Sequence, residues 1–93
     1  MSVDEVLDEV VRICERSSAE RVYLYGSRAK GTGLERSDID IAVAGAEDFE
    51  KMAEEIEDIE TLYTVDLLDL DTCKEQRLLE DIASYGRKIY EKI

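Results

Sequence analysis

Ninety-three residues suffice for one domain with a modest core, spanning 1–93, but are too few for a catalytic core joined to a separate substrate domain. Twenty-four acidic residues against twelve basic ones leave a net charge of −12, which argues against direct nucleic-acid binding because phosphate contacts need a basic surface. No apolar run approaches the roughly 20 residues of a membrane span and the N-terminus lacks a signal-peptide pattern, so a cytoplasmic location away from membranes is expected.

Ser2 to Arg16 reads as the first helix. Ser2 and Glu5 have capping-box spacing, and Val3, Val6, Leu7, Val10 and Cys14 recur at helical intervals. Ser17 to Glu20 connects it to a short strand, Val22–Tyr25, which Gly26-Ser27 breaks sharply. After a ten-residue linker, Arg28 to Ser37, the stretch Asp38 to Val43 alternates with period two. That puts Ile39, Ile41 and Val43 on one face and Asp38 and Asp40 on the other. Ala46 to Leu62 reads as the second helix, with Phe49, Met52, Ala53, Ile56 and Ile59 as its apolar stripe and an acidic outer face read as solvated, the alternative being a docking face for a basic partner. Tyr63 to Leu70 contains the third strand, with Val65 and Leu67 on one side and Asp66 on the other. Thr72 to Tyr85 forms the last long helix, with Thr72 and Glu75 at capping-box spacing, Leu78, Leu79 and Ile82 buried, and Gly86 as its stop. Two readings stay open for the segment that follows: Arg87–Tyr90 as a short edge strand, or Tyr85, Ile89 and Tyr90 as a partner-facing patch. Cys14 and Cys73 are isolated, and no histidine or Cys-x-x-Cys spacing completes a zinc site, so both are read as reduced packing residues. The order of elements predicts an α/β (α+β) sandwich with a small mixed sheet.

Two like charges side by side on a strand repel each other, and a divalent cation removes that penalty. Mg²⁺ takes oxygen ligands, keeps several waters and is usually bound through one or two carboxylates plus substrate phosphates, so Asp38 and Asp40 suit it. Gly26 lets the backbone approach a ligand closely, Ser27 offers a hydroxyl, and the amides that follow can cradle phosphate oxygens. Asp66 is costly in an apolar strand unless paired or metal-bound, and it is the expected third carboxylate. Asp69 is the weaker candidate, on the other face at the strand's end. Arg28 is read as a phosphate ligand, since arginine grips phosphate bidentately. For Lys30 and Arg36 that role and simple charge compensation stay open. Rival loops fail: Thr32-Gly33 stands where a Walker A loop needs Lys and Ser/Thr, no closing glutamate completes an EF-hand after Asp40, and Gly-x-Gly-x-x-Gly does not follow the first strand.

Gly26-Ser27, the linker and Asp38-Ile39-Asp40 together resemble the signature of the DNA polymerase β-type nucleotidyltransferase superfamily. The wording YGSRAKG and SDIDIAV in a short chain is most similar to the minimal nucleotidyltransferases, which are found beside HEPN-domain partners. The resemblance implies a nucleotidyltransferase fold with Asp38, Asp40 and Asp66 as catalytic metal ligands for two Mg²⁺ ions. Gly26, Ser27 and Arg28 then bind the nucleotide, with ATP as substrate. It further implies transfer of AMP to a tyrosine hydroxyl of a HEPN ribonuclease toxin, the chain being the antitoxin in a hetero-oligomer. Two alternatives stand beside it. One is a non-catalytic antitoxin that blocks the toxin sterically; the other is a small-molecule nucleotidyltransferase similar to the aminoglycoside-modifying enzymes, which carry an additional acceptor domain.

Overall fold

A computed structural model describes residues 2–31 and 38–93. The first helix, α1 (Val3–Arg16), starts where the capping residues place it. The Ser2 hydroxyl accepts the Glu5 amide at 3.2 Å, and the Glu5 carboxylate accepts the Ser2 amide at 3.1 Å, so two otherwise orphaned donors satisfy each other. Its inward stripe is Val6, Leu7, Val10, Ile13 and Cys14, all buried. Burial pushes the Cys14 thiol up to about 12, which keeps it an inert packing group, and Cys73 is a second free, half-buried thiol.

Four strands form one mixed sheet: β1 (Arg21–Tyr25), β2 (Ile39–Ala44), β3 (Val65–Asp69) and β4 (Arg87–Glu91), in the order β3-β2-β1-β4. β1 runs antiparallel to both β2 and β4, whereas β2 and β3 are parallel. The parallel pair requires a crossover, supplied by the helix α3 (Phe49–Glu57). α3 packs beside α1, and the two helices cover Val22, Leu24, Ile39, Ile41 and Val43 together with Met52 and Ile56. β2 is the most enclosed strand, because Ala42 and Ala44 are buried as well as its large apolar residues. Small side chains thus continue the aspartate face into a covered region, and only its start stays accessible.

Several elements begin or end away from the positions that local pattern predicts. α3 starts at Phe49 and not at Ala46, because the Asp48 carboxylate accepts the Lys51 amide at 3.1 Å and caps the helix there. It ends at Glu57, leaving Leu62 outside it and fully exposed. The last helix, α4 (Gln76–Tyr85), starts four residues later than Thr72, and the Thr72/Glu75 capping box does not form. Those residues belong to the turn that ends β3: the Asp69 carboxylate accepts the Asp71 amide at 3.0 Å and the Asp71 carboxylate accepts the Gly45 amide at 2.9 Å. Of the three apolar residues expected inside α4, Ile82 is buried while Leu78 and Leu79 are half-buried. Gly86 does stop α4, in an extended conformation, with its amide donating to the Ile82 carbonyl at 2.8 Å. Arg87–Glu91 takes the edge-strand alternative, with Ile89 and Tyr90 half-buried against the core and Tyr85 largely exposed. A four-residue helix, α2 (Ser27–Lys30), occupies the start of what reads as a loop.

The core makes a direct test. Met52 is fully buried, so Met52→Ala should cost about 2–5 kcal/mol in urea unfolding. Leu62→Ala, at a side chain outside the core, should stay within about 0.5 kcal/mol.

Candidate active site

Register decides which carboxylates meet. Asp40 in β2 stands directly opposite Asp66 in β3, and on its other side opposite Tyr25, the last residue of β1. Directly paired residues project from the same face of a sheet, so Tyr25, Asp40 and Asp66 form one row across three strands. Asp38 is exposed one residue before β2 begins. Asp69 pairs with Val43, an odd number of residues from Asp66, and so projects from the opposite face; its carboxylate is engaged in the turn already described.

The row is electrostatically loaded. Partial burial raises the pKa of Asp40, and the neighbouring charges of Asp66 and then Asp38 raise it further. The Tyr25 phenol is pushed up to about 12, first by burial and then by Asp40, Asp66, Cys73 and Asp81. Sequence reading missed Tyr25, although its place immediately before Gly26 and its strand parity with the aspartates were available. Burial, Asp66 and Asp38 all disfavour charge on Asp40, which is the field that a bound cation relieves. Among the described residues, no group of three or more His, Cys, Asp or Glu is gathered closely enough to hold a metal ion unaided. The donors are hard carboxylate oxygens, opposed as Asp40 and Asp66 with Asp38 beside them. They fit an ion such as Mg²⁺ that completes its shell with water and phosphate, and not one that needs a closed protein cage.

Gly26 is required twice over. It has φ 74° and ψ −154°, a backbone conformation that side chains avoid. A Cβ there would also overlap the Asp40 carboxylate oxygen Oδ2 and lie 3.2 Å from its Cγ. The chain therefore passes directly over the Asp40 carboxylate before turning into α2, which Gly31 closes in the left-handed conformation. Along α2, Ser27 and Arg28 are half-buried, and the Arg28 guanidinium lies 5.2 Å from the ring centroid of Tyr63. Lys30 is bound elsewhere, 2.7 Å from the Asp81 carboxylate of α4. Arg36 lies outside the described residues.

The family profile described as Polymerase beta, Nucleotidyltransferase matches residues 8–93 of the chain. A toxin-antitoxin crystallised with AMP-PNP contains a chain that is 26% identical, with a TM-score of 0.67 over 91% of this chain and 73% of that one. A chain of the toxin-antitoxin MntA-HepT is 22% identical, with a TM-score of 0.62 over 96% and 73%. A crystal structure from Shewanella oneidensis is 20% identical, with a TM-score of 0.59 over 95% and 69%; these last two similarities speak to the fold alone. No curated protein matches the chain. With the profile spanning all but the first turns of α1, the chain belongs to the polymerase β nucleotidyltransferase family.

Proposed function

We propose that the chain transfers AMP from ATP to a tyrosine hydroxyl of a partner HEPN-domain ribonuclease toxin and acts as the antitoxin of that pair. The observation that carries this reading is the register that opposes Asp40 to Asp66, with Gly26 lying against Asp40. The similarity to a toxin-antitoxin crystallised with AMP-PNP supports the choice of nucleotide and partner. The acidity of the chain, at −12, favours a protein acceptor over a nucleic acid.

Asp38, Asp40 and Asp66 would hold magnesium, which would neutralise phosphate charge and lower the pKa of an attacking hydroxyl. Gly26 admits the triphosphate close to the backbone. The Ser27 hydroxyl and the amides that follow orient its β- and γ-phosphates, and Arg28 adds a charge-assisted contact. Asp66 accepts the proton of the acceptor hydroxyl. The acceptor oxygen forms its bond to the α-phosphorus as the bond to the bridging oxygen breaks, and pyrophosphate leaves. Positioning and electrostatic stabilisation by these residues carry the rate enhancement.

Intact-mass spectrometry of the co-expressed partner tests the reading. Wild type should add one or more nucleotide monophosphates, and the Asp38→Asn, Asp40→Asn double variant should add none. A partner left unmodified yet silenced by both proteins would overturn enzymatic action and leave steric blocking. Gly26→Ala should lower transfer by about a hundredfold or more, because displacing the backbone over Asp40 misplaces the phosphates.

Stability gives a readout independent of transfer. A raised folded-state pKa means that Asp40 favours folding below its ordinary value of 3.8, a contribution lost as pH rises through the raised value. Ionised Asp40 therefore works against the metal-free fold at neutral pH. Asp40→Asn should raise the metal-free Tm at about pH 7, with the gain fading near pH 3. Millimolar Mg²⁺ should stabilise wild type more than the variant in the same melts.

A further inference from the structure

Lys30 sits at the end of α2, the short helix that also carries Ser27 and Arg28. Its ammonium lies 2.7 Å from Asp81 Oδ1 and 5.2 Å from the centroid of the Tyr85 ring. Asp81 and Tyr85 are four residues apart on α4 and therefore share one side of that helix. The two make a seat with a carboxylate and an aromatic face, both suited to one ammonium. The side chains of Lys30 and Asp81 are 39% and 25% exposed, so the pair is partly withdrawn from water.

α2 is short of internal means to hold its position. It has four residues, its N-terminal Gly26 offers no side-chain cap, and none of its side chains is fully buried. A helix of that length is not self-supporting, so contacts with its neighbours set where it lies. The Lys30 seat joins it to α4, on the same molecule but far along the chain. It also sets a positive charge beside Asp81, one of the carboxylates whose charge reaches Tyr25 in the aspartate row.

We propose that Lys30 is a positioning residue: held between Asp81 and Tyr85 of α4, it fixes α2 and so sets Ser27 and Arg28 relative to Asp40. This rests on the nucleotide site proposed above. It assigns to Lys30 a structural contact in place of a phosphate contact, because its charge is already committed to Asp81. The two roles differ in how Lys30 and Asp81 couple. A positioning lysine loses its purpose when Asp81 is neutralised, whereas a phosphate-gripping lysine keeps it.

The test is a cycle of Lys30→Ala, Asp81→Asn and the double variant, with Lys30→Arg as the conservative change. Two quantities are followed: hydrogen exchange at the amides of positions 30 and 31, which donate to the Gly26 and Arg28 carbonyls, and the affinity for AMP-PNP with Mg²⁺. In nucleotide-free protein, exchange corrected for intrinsic rates should rise about two- to fivefold in each single variant and no further in the double. AMP-PNP affinity should fall in parallel, with Lys30→Ala having no added effect once Asp81 is neutral, and Lys30→Arg should restore much of both. Unchanged exchange, or a full loss of affinity from Lys30→Ala in the Asp81→Asn background, would overturn the positioning role. If wild type binds no AMP-PNP, the nucleotide reading fails by itself, and exchange alone then decides whether the seat holds α2.

Discussion

Two carboxylates face each other across β2 and β3, and that repulsion is the constraint on which the rest of the site depends. Directly opposed like charges destabilise a sheet, and here partial burial adds to the cost by raising the pKa of Asp40. A fold keeps such a pair only where the surroundings over-determine it. β2 meets that condition: it lies between β1 and β3, its Ile39, Ile41 and Val43 are locked under α1 and α3, and Ala42 and Ala44 are covered behind Asp40. The hydrophobic register leaves Asp40 nowhere else to point. A one-residue slip would bring the isoleucines to the aspartate face and the aspartates into the core.

The approach of the backbone follows from the same constraint. Because β1 ends at Tyr25 opposite Asp40, the next residue must pass over that carboxylate, and only a residue without a side chain fits. The turn into α2 then brings Ser27 and Arg28 to the edge of the aspartate row, with Arg28 against Tyr63 and Lys30 seated on α4. The chain belongs to the polymerase β nucleotidyltransferase family, and the nucleotide proposed for it would set its phosphates beside the aspartate row. The acidic total of the chain makes this loop, with Arg28 and Lys30 close together, a local departure from the charge around it.

Much of the fold was legible because its determinants are local. The Ser2–Glu5 capping box, the apolar stripes of α1 and α3 and the alternation Ile39, Ile41, Val43 each depend on residues a few positions apart, and each formed. Reading failed where a local signal had a competitor. Thr72 and Glu75 have capping-box spacing, but Asp69 and Asp71 draw that segment into a turn tied to Gly45. Ala46 has good helix propensity, yet the Asp48 cap fixes the start of α3 downstream. α2 went unseen because four residues are too few to show a period.

Local pattern alone places Gly26-Ser27 a short linker before Asp38-x-Asp40, gives Asp38 and Asp40 the parity of one strand face, and gives Asp66 a parity different from Asp69. These follow from the two-residue period of a strand and the freedom of glycine. That Asp66 stands opposite Asp40, that Tyr25 joins their row and that Lys30 is held by Asp81 and Tyr85 emerge from the folded arrangement and from no local pattern. Strand register and helix seating are set by the packing of side chains distant along the chain, and no local pattern encodes which partner a residue will meet.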